Sequence, residues 1–126
     1  MTALSSLQQI HHPTFTQHKI SVQIKRDDQI DKVISGNKWR KLKYNILHAK
    51  AIGAKGIITF GGCFSNPIHA CAFACQQQQL SAMGIIRGEQ ANQDNYTLAW
   101  AKHWGMQLSF VDRKTYRLRN EESYLK

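Results

Sequence analysis

Three short apolar runs, at residues 56–60, 82–86 and 106–111, alternate with stretches of helical periodicity, and this alternation constrains the fold more than any other feature of the chain. The first, Gly56-Ile57-Ile58-Thr59-Phe60, is β-branched and apolar on both faces, the pattern of a strand buried in a parallel sheet. Strands joined by helices return parallel through right-handed crossovers. The pattern therefore predicts an α/β chain, a parallel three-layer βαβ sandwich. Its 126 residues suffice for one domain with a substantial core.

The expected helices are marked at their ends. Ser65 is a good N-cap, Pro67 suits a first turn, and Ile68, Cys71, Ala72 and Cys75 share one face at helical spacing. Asn95 predicts the cap of a later helix through Trp104, with Gly105 as its stop and with Trp100 and Trp104 as packing residues. An earlier helix is expected over 38–52. Trp39, Leu42, Ile46 and Ala49 form its apolar stripe, Trp39 and Leu42 its packed face, and Gly53 its end. Upstream, Ile20, Val22 and Ile24 alternate with Ser21, Gln23 and Lys25, as in a strand with one buried face. Residues 1–18 show little periodicity and predict an extended lead-in, with His11, His12 and His18 in solvent.

Charge is unevenly distributed. Lys and Arg number 17 against 8 Asp and Glu, a net +9 that favours anionic partners: phosphate, carboxylate, nucleic acid or anionic lipid. Lys38, Arg40, Lys41 and Lys43 fall at the start of the 38–52 helix. There the positive pole of the macrodipole disfavours each cation by about 0.3–1 kcal/mol, and a bound anion would reverse the sign. Crowded cations also lower a lysine pKa, which suits an amine for Schiff-base chemistry. A solvated basic face is the plainer alternative. No apolar run is long enough to span a bilayer and the start lacks a signal-peptide pattern, so a cytoplasmic location is expected. Cys63, Cys71 and Cys75 read as reduced, buried thiols. With His69 they are zinc-type ligands, but they lack a Cys-x-x-Cys knuckle and no metal is expected.

Four segments in order, Ile24-Lys25-Arg26-Asp27-Asp28, Ser35-Gly36-Asn37-Lys38-Trp39-Arg40-Lys41-Leu42, Gly61-Gly62-Cys63-Phe64-Ser65-Asn66 and Arg87-Gly88-Glu89, carry a family resemblance. Phe110-Val111-Asp112-Arg113 and Tyr116-Arg117 extend it. Together they resemble the 1-aminocyclopropane-1-carboxylate deaminase and D-cysteine desulfhydrase family of pyridoxal-phosphate enzymes, of fold type II. The resemblance implies pyridoxal 5'-phosphate as cofactor, Lys38 as Schiff-base lysine, Lys41 at the phosphate and Asn66 at the ring oxygen. It implies Ser65 as a catalytic and substrate contact, with Asn66 and Ile68 also at a small amino-acid substrate. It implies a deaminase or lyase, and an arm and strand at 1–37 belonging to a larger domain, followed by an incomplete smaller α/β domain at 38–126.

Two departures qualify the expected activity. Pro67 stands where the family has a residue with a backbone N–H, so one donor for the substrate carboxylate is lost. The family's chains are longer, and their remainder supplies the glycine-rich phosphate loop, the pyridine-nitrogen partner and a substrate tyrosine. The expectation is thus an N-terminal portion, weakly active or inactive alone, completed by a homo-oligomer or by a missing C-terminal portion. Two alternatives stay open: a small basic module binding anions or nucleic acid, and an inert remnant pairing with another subunit. For nucleic acid a recognisable motif is lacking.

Overall fold

The computed structural model describes residues 5–34, 36–88 and 95–125, so Ser35 and Glu89 of the sequence landmarks lie outside the described residues. The chain begins with strand β1 (Leu7–Ile10), helix α1 (Pro13–Gln17) and strand β2 (Val22–Lys25). The two strands pair antiparallel, Leu7 opposite Lys25 and Ile10 opposite Val22. Part of the expected lead-in is therefore ordered structure. Gln8 and Gln9 hide the strand from a hydrophobic period, and only pairing with β2 defines it. Ring Nδ1 of His12 accepts the Thr14 N–H and caps α1. The strand expected around Ile20–Ile24 exists, but Ile20 is 54% and Ile24 46% exposed, so its apolar side is not buried.

Helix α2 (Lys38–Ala51) follows a 3₁₀ turn at Asp27–Gln29. Ile46 and Ala49 are its buried residues, with Trp39 and Leu42 only partly so; the buried face lies a turn or two further along than Trp39 and Leu42 suggest. It ends as Gly53 takes φ +68°, letting the Gly53 N–H reach the Lys50 carbonyl and the Ala54 N–H that of Ala49.

Strands β3 (Gly56–Gly62), β4 (Ser81–Arg87) and β5 (Gln107–Val111) form a parallel sheet in sequence order, linked by helices α3 (Asn66–Gln77) and α4 (Tyr96–His103). This is the expected α/β class. Helix α3 packs on β3 and β4, on α4 and on α2. The core on this side joins Ile68, Cys71 and Cys75 of α3 to Ala82 and Ile86 of β4 and to Leu98 and Ala101 of α4. Side chains alternate across a strand, so Ile58, Phe60, Met83 and Ile85 take the opposite face. There Ile58 is 62% exposed. Helix α5 (Arg113–Arg117) turns back at the carboxyl end, its Tyr116 ring edge-on to Phe60 at 6.1 Å; helix α6 (Glu122–Leu125) follows. No described helix is long and apolar enough to cross a membrane.

Candidate active site

Helix α2 opens with Asn37, whose side chain makes no capping bond, and its first turn holds no acidic residue. The sequence puts four cations there, and the structure treats them differently. Arg40 turns back to Asp27, with Nε to Oδ2 at 2.6 Å and Nη2 to Oδ1 at 2.8 Å, a two-pronged ion pair. Lys25 donates to the same carboxylate at 2.8 Å. The Asp27 carbonyl also accepts the Gly36 N–H at 3.0 Å, tying the β2 exit to the entry of α2. Hydrogen bonds from Arg40, then Lys25, hold the Asp27 carboxyl well below the usual carboxylate range. The anion required at this helix end is thus internal for Arg40.

Lys38 takes the other direction. Half-buried at the first helical position, it lines a cavity of about 160 Å³ with Val33, Asn66, His69, Tyr96 and Thr97. Asn66 begins α3, so the first residues of two helices meet here. Burial lowers the His69 pKa, favouring a neutral ring. That ring stacks on Tyr96 at 6.4 Å and meets Trp104 edge-on at 4.6 Å. Trp104 also packs on Phe73, in keeping with its expected packing role.

Other expected site residues stand elsewhere. Lys41 is exposed. The Ile68 side chain is fully buried in the core, its Cγ1 only 2.6 Å from where a Cβ on Gly61 would lie. Ser65 is the N-cap of α3 yet makes no side-chain capping bond. Pro67 explains part of this, because it removes one of the two N–H groups that such a side chain can take. Ser65 opens instead onto a neighbouring cleft with Arg87 and Arg113. His69 and Tyr96 were missed as cavity residues. The first lies three residues after Asn66 on one helical face, a spacing that was available; the second needs the α3–α4 packing.

Lys38 and Asn66 supply an amine nitrogen and an amide carrying both donors and an acceptor, facing one small cavity. That set fits a ligand carrying a carbonyl for the amine and a hydrogen-bonding oxygen for the amide.

No family model matches the chain. It is 38% identical over 79 residues to a provisionally named 1-aminocyclopropane-1-carboxylate deaminase of Pyrococcus abyssi, covering 63% of this chain and 24% of that one. It is 30% identical over 103 residues to a provisionally named mitochondrial D-cysteine desulfhydrase 2 of Oryza sativa subsp. japonica, covering 81% of this chain and 25% of the relative. The chain thus spans about a quarter of the length of these relatives. A crystal structure described as an ACC deaminase homologue superposes with TM-score 0.75 at 27% identity, over 96% of this chain and 37% of the other. A hydrogen sulfide-producing enzyme from Fusobacterium nucleatum gives TM-score 0.67 at 15% identity, over 94% of this chain and 38% of that one, a likeness of fold alone.

Proposed function

The chain is homologous to a part of the 1-aminocyclopropane-1-carboxylate deaminase and D-cysteine desulfhydrase family, and from this we propose that it carries the amine side of a pyridoxal-phosphate site acting on a small amino acid. The observation behind the proposal is that Lys38 and Asn66, distant in sequence, line one cavity at the starts of two helices. Pyridoxal phosphate, when bound, withdraws electrons from the bonds at an amino acid's Cα, which suits elimination from a D-cysteine-like substrate or opening of a cyclopropane ring.

The Lys38 Nζ would hold the cofactor through its aldehyde carbon, and it would be the amine placed to take or return a proton at the substrate's reacting carbon. The Asn66 amide N–H would donate to the cofactor's ring oxygen and so orient the ring. Val33 and Tyr96 wall the cavity. Lys41, one turn along α2 and exposed, offers positive charge to a phosphate reaching out of the cavity. Ser65, at the adjoining cleft, is assigned to the substrate carboxylate, and Ile68 to the core packing beneath the helix end. With Pro67 lacking an N–H, a carboxylate at the start of α3 loses a bond worth about 1.5–3 kcal/mol. Weak cofactor binding and little turnover are expected of the chain alone.

Equilibrium dialysis against pyridoxal phosphate tests this. Saturable binding near one per chain, weakened in Asn66→Ala and abolished in Lys38→Ala, is the expected result. Uptake that never saturates and ignores both substitutions would overturn the proposal.

A further inference from the structure

We infer that the cleft between Ser65, Arg87 and Arg113 is a binding site for a small oxyanion, a carboxylate or a phosphate, held by the two arginines outside the Lys38 cavity; for Ser65 this extends the carboxylate role assigned to it above. The cleft has a volume of about 420 Å³ and is bounded also by Gly62, Phe64 and Gly88. It lies at the carboxyl ends of β3 and β4, where ligands collect in open parallel sheets. Its position follows from the strand register, which sets Gly62, Arg87 and Val111 side by side as the last residues of the three strands.

Arg87 is held in place without being neutralised. Its guanidinium carbon lies 5.5 Å from the Tyr116 ring centroid, and its Nη2 passes 3.9 Å from where a Cβ on Gly62 would stand. Beneath it the Cys63 thiol donates to the Arg87 carbonyl at 3.9 Å, and the Gly88 N–H to the Val111 carbonyl at 2.9 Å, so the backbone on both sides is fixed. The cation–π contact leaves the guanidinium's hydrogen-bonding edge available to an anion. Arg113 follows Asp112, but that carboxylate is already committed as the cap of α5. It accepts the Lys114 N–H at 2.7 Å, the Thr115 N–H at 2.9 Å and the Thr115 hydroxyl at 2.8 Å. Among the described residues, the ion pairs use Asp27 and Asp28 at the β2 exit, and neither cleft arginine has a carboxylate partner. The third polar wall is the Ser65 hydroxyl, free of helix capping. Among the described residues, two guanidinium groups without a carboxylate partner and one hydroxyl surround a cleft lined by no acidic side chain, and they match an oxyanion in charge and in donor type.

Calorimetric titration of the 126-residue chain with sodium phosphate, and separately with sodium acetate, tests the inference. Lys55→Gln serves as a control of equal charge change, because Lys55 precedes the amino end of β3, at the other end of the sheet from the cleft. Saturable binding of either anion that weakens at least about tenfold in Arg87→Gln and in Arg113→Gln, and is unchanged in Lys55→Gln and Lys38→Ala, supports it. The preferred anion then tells phosphate from carboxylate. Failure of both anions to saturate, or equal weakening by Lys55→Gln, overturns it. Loss of binding in Lys38→Ala with none in the arginine variants overturns it too, while favouring the Lys38 cavity. Pyridoxal-phosphate binding can therefore fail without deciding the outcome here.

Discussion

Lys38 and Arg40 begin from one disadvantage, a cation at the positive end of α2, and leave it by different routes. Arg40 finds Asp27, while Lys38 faces the cavity it shares with Asn66. Because the Asp27 carboxyl titrates lower folded than unfolded, the stability it contributes is present above its unfolded pKa of about 3.9 and is lost as pH falls through the folded value. Asp27→Asn should accordingly be less stable than the parent at pH 7, with the difference narrowing in urea titrations run progressively below about pH 4. Backbone contacts can be tested as sharply. A Cβ on Gly61 would lie 2.6 Å from both Ile68 Cγ1 and Ser65 Oγ, whereas one on Gly62 would meet only Arg87 Nη2 at 3.9 Å. Gly61→Ala should cost about 1–3 kcal/mol in urea unfolding, and Gly62→Ala much less. At this scale the sequence was informative about chemical type: Lys38 and Asn66 were legible from motif and helix position. The Asp27–Arg40 pair was not, since it joins residues 13 apart through the turn between β2 and α2.

Among the elements, two N-caps that look alike in sequence part company in the structure. Asn95 accepts the Leu98 N–H at 3.0 Å, whereas Ser65 makes no side-chain capping bond. Asn95→Ala should lower stability by about 1 kcal/mol, and Ser65→Ala by a few tenths at most, as read from urea midpoints. If Ser65→Ala instead costs as much as Asn95→Ala, the hydroxyl is capping α3 and is not free for the cleft. The strands and helices from α2 onward were legible because each carries its own period and its own stop residue. Gly53 and Gly105 take φ of +68° and +81° at the two helix ends expected of them. The hairpin of β1 and β2 was only half legible: β2 alternates, but β1 is set by its partner. The buried side of α2 was legible as well, since Ile46 and Ala49 belong to the expected stripe; what the pattern did not give is that they, rather than Trp39 and Leu42, are its most buried members.

For the whole molecule, the apolar runs that announced a sheet covered on both faces have one face packed by α3 and α4, with Tyr116 reaching only the carboxyl end of the other. Ile58 at 62% exposure, with half-buried Phe60, Met83 and Ile85 beside it, makes that face an apolar surface. Ile58→Lys should reduce binding of a hydrophobic dye while changing stability by less than about 0.5 kcal/mol, because the side chain already meets solvent. Unchanged dye binding would place the apolar surface elsewhere. The central claim concerns the amine, and it is tested most directly by adding pyridoxal phosphate, reducing with borohydride and mapping the modified lysines by peptide mass. A single dominant label at Lys38, lost in Lys38→Ala and not redistributed to Lys41 or Lys43, is the predicted result. Labelling spread over the exposed lysines, and the same in the variant, would contradict it.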